Sequence, residues 1–565
     1  MENFFRIIAE LIAKEVQEDS ETIQAGLQFS PKDKFGDIAF PCFPLAKRMK
    51  KSPALIAEEL RDKLKPPPEI SGIEVEGPYL NFRIDPYALI SDVVFRVLKD
   101  RQEYGNSYQH HGETAVMDYS SPNIAKPFGI GHLRTTVVGN SLMRIYRSQG
   151  YNAIGINHLG DWGTQFGKLI YAYDNWGDQQ KLSENPINEL FDLYVRFHRE
   201  AEDNPEIEEE AREWFKKLES GDEKAREYWR QFKELSIKEF DKIYNRLGID
   251  FDYYTGESFY NDKMESVIET LKEKKLAKMS QDALIVDLEE YGMSPCILKK
   301  KDEASLYATR DLAAAIYRKE TYDFDKLLYI VGVEQTLHFR QLFKVLELMG
   351  FKWAKDCHHV ELGRIKFEGE EMSTRKGNII FLEDVLDKSK KLALQIIEEK
   401  NPELENKDEV AEKVGIGAVV FAQFTSKRNK NSSFSWDEAL NFDGNTGPYL
   451  QYTHARLCSL QRKYGQEISD SVDLTWLKQP QELSLSKLVG QFPLNIKLAL
   501  RDNEPSVVAN YLLQVAAEFN TYYQKVRIIV DDSDTSAARM ALVNAVRYTI
   551  EKGLLLLGIK APERM

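Results

Sequence analysis

A strand-like run, a turn of small residues and a helix-like run follow one another between Thr114 and Tyr146. The strand-like part is Thr114-Ala-Val-Met-Asp-Tyr-Ser, and the helix-like part starts at Leu133. Between them stands Ser121-Pro-Asn-Ile-Ala-Lys126-Pro-Phe-Gly129-Ile-Gly131-His132. A small-residue turn from strand to helix lets a nucleotide approach the backbone, and the helix N-terminus favours its phosphates. Far downstream, Met372-Ser-Thr-Arg-Lys376-Gly377-Asn378 is a loop rich in Ser, Arg, Lys and Gly. Its composition suits the holding of pyrophosphate.

The chain has 565 residues, too many for one ordinary core, so about three domains are expected. Residues 1–110 read as a small α/β domain. It has helical patterns at Phe4 to Gln17 and Pro53 to Lys65, then strands at Ile73 to Val75 and Tyr79 to Ile84, turned at Gly77-Pro78. Residues 111–385 read as a parallel-sheet, Rossmann-like nucleotide-binding domain, because strand and helix patterns alternate from 111 to about 170. A charge-dense helical insertion splits it at about 171–275, and sheet patterns resume at Ala283 and Lys326. Residues 386–565 read as an all-α domain. The fold class is therefore multidomain α/β.

Composition removes several functions. No apolar run reaches the roughly 18 residues of a membrane span, and the amphipathic N-terminus is unlike a signal peptide, so a cytoplasmic protein is expected. The four cysteines form no CxxC, which speaks against a disulfide framework and against protein-bound zinc. Cys357-His358-His359 is a poor metal site, since adjacent residues do not converge on one tetrahedral ion. The net charge of −14 excludes a basic nucleic-acid coat, but it leaves room for a local basic groove.

The two segments together resemble the HIGH and KMSKS signatures of class I aminoacyl-tRNA synthetases. Ser120-Ser-Pro-Asn-Ile-Ala-Lys-Pro-Phe followed by Gly-His-Leu-Arg resembles the arginyl-tRNA synthetases in particular. Gly129 replaces the first signature histidine, while Gly131 and His132 match. In the second signature Glu371 and Thr374 replace the two lysines, as many of that family lack the second. Asn157-His158-Leu-Gly160-Asp161-Trp162-Gly163 is similar to the block that follows the family's first signature. Tyr307-Ala-Thr-Arg310-Asp311 and Val333-Glu-Gln335-Thr-Leu-His338-Phe resemble its amino-acid pocket, and Tyr307 and Asp311 share a face if helical. Phe442 to Arg456 and the C-terminus at Met565 resemble its anticodon-binding domain. Phe35-Gly36-Asp37 and Gly77-Pro78-Tyr79 resemble its N-terminal domain, which contacts the tRNA elbow.

The resemblance implies that L-arginine and ATP form arginyl-adenylate and pyrophosphate, after which arginine moves to the 2′-hydroxyl of the terminal adenosine of tRNA(Arg). Mg²⁺ would accompany ATP, and a monomer is expected. Gly129, Gly131, His132, Met372, Ser373 and Thr374 are the ATP-binding candidates. Lys126, His132, Arg375 and Lys376 are the catalytic candidates, with Lys126 a substitute for the missing loop lysine. Asp118, Tyr307 and Asp311 would accept the guanidinium, whose planar fork of donors suits carboxylates, and Asn123 and Gln335 would hold the other end. Tyr449, Tyr452, Arg456 and Met565 are the tRNA-binding candidates. The rivals are another class I synthetase, such as the cysteinyl enzyme with its zinc-binding cysteines, and a noncatalytic synthetase-like tRNA-binding protein.

Overall fold

The computed structural model describes residues 1–30, 33–299, 307–367, 380–469 and 471–565, with the backbone alone at Asp33, Tyr307 and Phe367. The chain starts with the helix Glu2–Val16, which buries Phe4, Phe5, Ile8 and Ile12 along one face. Strands β1 (Gln28–Phe29), β2 (Ile38–Pro41), β3 (Ile70–Glu76) and β4 (Tyr79–Ile84) follow. They form an antiparallel sheet in the order β1-β2-β4-β3. Gly77, at φ +55°, turns β3 into β4, where a side chain would strain the backbone. The helix Pro86–Asp100 leaves this unit, capped by the Asp85 carboxylate, which accepts from the Ala88 amide at 2.8 Å.

The central sheet begins with β5 (Thr114–Asp118), buried from Ala115 onward. The helix Leu133–Ser148 carries the chain to β6 (Asn152–Asn157). Five helices then intervene, from Thr164–Trp176 to Glu223–Leu247, before β7 (Tyr253–Tyr254) returns beside Ile156 and Asn157. Strands β8 (Ala277–Ser280), β9 (Ala283–Val286) and β10 (Cys296–Lys299) make a separate antiparallel sheet. The helix Tyr307–Tyr322 leads back to β11 (Lys326–Gly332), and the helix Thr336–Leu348 leads to β12 (Cys357–Leu362).

The resulting order is β12-β11-β5-β6-β7, all parallel. The chain winds outward from β5 in one direction and resumes at β11 on its other side. The strand order reverses at that point, and the loops beyond the carboxyl ends of β5 and β11 diverge. Such a crevice is where open α/β sheets bind ligands.

After β13 (Ile365–Phe367), which pairs with β14 (Ser432–Phe434), the chain is mainly helical. The long helices are Leu382–Lys400, Lys407–Phe421, Gly447–Tyr464, Ser506–Lys525 and Ser533–Leu556. The N-terminal unit docks on a further helix of this domain, Pro480–Gly490. Lys487 Nζ lies 2.6 Å from Asp37, and the Tyr104 hydroxyl donates to the Val489 carbonyl at 3.0 Å. Among the described residues no helix is long and apolar enough to cross a membrane.

Candidate active site

Three non-glycine residues with left-handed backbone, Ser120, Ser121 and Ala125 at φ +71°, +50° and +58°, stand between β5 and the next helix. Such positions cost free energy and persist only when the surroundings hold them. Here each is held by a named bond. Ser120 Oγ pairs with Thr136 Oγ1 at 2.7 Å and with the Tyr244 hydroxyl at 2.8 Å. Ser121 Oγ donates to Asp118 Oδ1 at 2.9 Å, and the Ala125 amide donates to Ser236 Oγ at 2.8 Å. Two of these partners come from the helix Glu223–Leu247, so the inserted helices brace the turn.

The turn is also pinned to the loop after β6. Asn123 bridges to Gly160, and the Ile124 amide donates to the Gly160 carbonyl at 3.2 Å. The next residue, Asp161, is fully buried and accepts from Lys233 Nζ, from the Ser258 amide and from Ser258 Oγ, each at 2.7 Å. Asp161 therefore fastens the site to the insertion and carries no open oxygen toward it.

A short 3₁₀ turn, Ile130–His132, opens the helix Leu133–Ser148. A Cβ built on Gly131 meets nothing within 4 Å, so the backbone lies open there. The Nδ1 atom of His132 is buried with no hydrogen-bond partner among the described residues. Burial lowers this imidazole to about 4; the Gly129 backbone opposes that shift and Lys126 adds to it. His132 is then neutral near pH 7, and an orphaned ring nitrogen at a helix start is poised for a polar ligand. The Lys126 ammonium lies 5.1 Å from the Tyr194 ring centre, over the inserted helix Pro186–Asp203.

The segment that follows the second signature meets this turn. The Ile130 amide donates to the Ile380 carbonyl at 3.0 Å, and the Leu382 amide donates to the Phe128 carbonyl at 2.9 Å. Met372, Ser373, Thr374, Arg375 and Lys376 lie outside the described residues.

At the sheet's switch point, Asp118 ends β5 and is buried. Its Oδ2 lies 2.8 Å from the fully buried guanidinium of Arg318, and its Oδ1 holds Ser121. The carboxylate expected to meet a substrate guanidinium thus already faces one from the chain itself. Asp311, on the same helix as Arg318, receives His338 Nε2 at 2.6 Å, and His158 Nε2 stands 4.0 Å away. Burial alone would raise Asp311, but His338, His158 and Arg318 together lower it, so it is a carboxylate. Tyr307 begins this helix, and its side chain lies outside the description. Gln335 is exposed just beyond β11. Cys357 and His358 fall on β12, where successive side chains point to opposite faces.

A second site lies on the helical domain. A groove of about 600 Å³ is lined by Tyr452, Arg456, Arg462, Tyr523, Arg564 and Met565, among others. The Arg456 guanidinium lies 4.8 Å and 5.3 Å from the ring centres of Tyr452 and Tyr523, both rings about two-fifths exposed. Asn520 fixes it by accepting from Arg456 Nη1 at 2.6 Å while donating to the Tyr449 hydroxyl at 2.9 Å. The Asn401 amide donates to a Met565 oxygen at 3.1 Å.

Residues 93–436 match the family described as tRNA synthetases class I (R), catalytic domain. Residues 3–84 match the arginyl tRNA synthetase N terminal domain, and 450–565 match the DALR anticodon binding domain. The arginine–tRNA ligases of Clostridioides difficile (strain 630) and Alkaliphilus metalliredigens (strain QYMF) are 50% and 48% identical over 566 residues, across 100% of each chain. The chain belongs to the arginyl-tRNA synthetase family. The solved Thermus thermophilus arginyl-tRNA synthetase has a TM-score of 0.85 at 26% identity, covering 99% of this chain and 100% of that one.

For an arginyl-tRNA synthetase, the sequence left four neighbours of the site without a role. Arg318, His338, His158 and Tyr194 are brought in by folding. His158 and His338 stand inside the quoted segments, and their only signal was a histidine beside the motif residues.

Proposed function

We infer that the crevice beyond β5 and β11 is the arginine-activating centre of an arginine–tRNA ligase, and that the helical groove receives the tRNA anticodon. The observation that carries this reading is the pairing of Phe128 and Ile130 with Leu382 and Ile380, which sets the residues following the second signature beside the first. ATP would lie over Gly129 and Gly131, with its phosphates at the start of the helix Leu133–Ser148 and against His132. Met372, Ser373, Thr374, Arg375 and Lys376 would serve the pyrophosphate. Mg²⁺ would arrive with the ATP phosphates, where it supplies charge neutralisation.

Arginine would lay its guanidinium against Asp311 and Tyr307, with Asn123 and Gln335 at its α-amino and carboxylate end. Asp118 would act from the pocket floor, together with Arg318. No side-chain nucleophile is needed, because the arginine carboxylate attacks the α-phosphate. The residues position the reactants and stabilise phosphate charge. A monomer in the cytoplasm is what the reading implies.

Arginine-dependent ATP–pyrophosphate exchange, measured with and without tRNA and against the other amino acids, tests the assignment. Exchange with a different amino acid would overturn it, and tRNA binding without any exchange would favour the noncatalytic rival. Within the site, His132→Ala should slow adenylate formation roughly 10²- to 10³-fold, the loss expected for one preorganised donor. Rapid-quench measurement of the adenylate checks this, and an unchanged rate would leave His132 a turn residue.

Tyr452 and Arg456 form a stacked platform of the kind on which unpaired bases rest. Tyr452→Ala should weaken tRNA binding by about 1–3 kcal/mol, near 5- to 150-fold in the tRNA KM, with little change in the ATP KM. Equal tRNA KM values would move anticodon recognition off this groove.

A further inference from the structure

The Asp311 carboxylate has partners of its own within the pocket. His338 Nε2 holds one oxygen at 2.6 Å, from the helix Thr336–Leu348. The neighbouring oxygen has His158 Nε2 at 4.0 Å. Asp311 and His338 are each about a quarter exposed or less, so the pair faces the crevice without being open to bulk water. We propose that His338 is a positioning residue that holds Asp311 as its stand-in cation and gives up a proton when an arginine guanidinium takes that carboxylate. The proposal rests on the assignment of Asp311 as the guanidinium acceptor.

The physical reason is charge count at one carboxylate. A permanently charged guanidinium and an imidazolium cannot share Asp311 without repulsion, and only the imidazole can discharge near neutral pH. His338 is the group able to yield. Burial works against its charge, but the hydrogen bond and the charge of Asp311 outweigh burial and raise its pKa.

Of the other groups around the pair, only Glu257 and His158 could offer a similar exchange. Arg318, further along the Asp311 helix, is matched by Asp118 from β5. Cys296 on β10 and Tyr329 on β11 are neutral, since burial pushes Cys296 up to about 12 and raises Tyr329 well above the ordinary tyrosine value. Glu257, raised to about 8 by burial despite Arg310 at 3.3 Å, feels the charge of Asp311 and is the other group a bound guanidinium could deprotonate, so the proton release must be traced to His338 by substitution. His359 on β12 faces His338, but its Nε2 lies 3.1 Å from the Val331 carbonyl, and burial lowers its pKa. His158 remains as the competing imidazole; its Nδ1 lies 3.0 Å from the Thr255 carbonyl.

The sign follows from linkage. Arginine binding lowers the proton affinity of His338, so arginine must bind more tightly as pH rises through the His338 pKa of the free protein. Below that pKa the limit is tenfold in affinity per pH unit, for one proton released.

Calorimetric titration of arginine into the full-length protein, in buffers of different ionisation enthalpy, counts the protons directly. The wild type should release close to one proton at pH 6 and gain about tenfold in affinity by pH 8. His338→Gln, which keeps a donor to Asp311 but cannot titrate, should release almost none and show level affinity over that range. His158→Gln should keep the proton count of the wild type. No proton release by the wild type, or the same release from His338→Gln, would overturn the proposal, as would its loss in His158→Gln alone. If Asp311→Asn bound arginine as the wild type does, the pocket assignment itself would fail, whatever the proton count.

Discussion

Asp311→Asn should weaken arginine binding roughly 30- to 4,000-fold, the equivalent of about 2–5 kcal/mol for truncating one partner of a desolvated charge pair. The amide keeps the shape of the carboxylate but brings a donor to face the guanidinium donors, and it no longer offers charge. The loss should fall on arginine alone. ATP contacts the turn at Gly129 to His132 in this reading, on the neighbouring strand's loop, so the ATP KM should move little. Both constants can be read from pyrophosphate exchange with tRNA present. Near-normal arginine affinity in Asp311→Asn would remove Asp311 from the pocket and would throw the recognition onto Asp118. That alternative is the weaker one, since Asp118 is already committed to Arg318 at 2.8 Å and to Ser121. A buried carboxylate that turned to a substrate would leave Arg318 unpaired, and an unpaired buried charge is costly.

Much of this architecture was legible because it is local. The run from Thr114 and the run from Leu133 carry their own periodicity, and they became β5 and the helix Leu133–Ser148. The run from Lys326 became β11, and Gly77-Pro78 turned β3 into β4. Tyr307 and Asp311 do lie on one helix. The pairings were not legible. Asp118 and Arg318 lie on different elements of the sheet domain, and nothing in either segment says that they meet. His338 finds Asp311 across 27 residues, from a helix that packs beside the first. The charge-dense stretch near Glu206 reads as solvated helices with narrow apolar faces. Sequence could not show that one of those helices, Glu223–Leu247, would lend Ser236 and Tyr244 to the strained turn. Nor could it tell an exposed tyrosine from a packing one. Asn520 separates them by holding the Tyr449 hydroxyl while Tyr452 stays about two-fifths exposed.

Lys126→Ala should depress adenylate formation by roughly 10²- to 10³-fold, as loss of a preorganised charge at the reacting phosphate does. Class I chemistry puts a lysine beside the leaving pyrophosphate, and Thr374 stands where the second loop lysine would be. Lys126 is suited to supply that charge. Ala125, held in the left-handed region, and Pro127, fixed in φ, set its direction from both sides. Its ammonium rests 5.1 Å from the Tyr194 ring centre, and its charge is felt at His132. A contact of that kind is worth about 0.5–1 kcal/mol where solvent reaches it, well below the attraction of a triphosphate in a site closed to water. The flexible four-carbon stem can carry the ammonium from the ring to the phosphates. The decisive comparison adds the charge back on the opposite wall: Lys126→Ala with Thr374→Lys should recover part of the lost rate, while Lys126→Ala alone should bind arginine and tRNA much as the parent does. Wild-type exchange kinetics in Lys126→Ala, or no recovery in the double variant, would pass the role to Arg375 or Lys376.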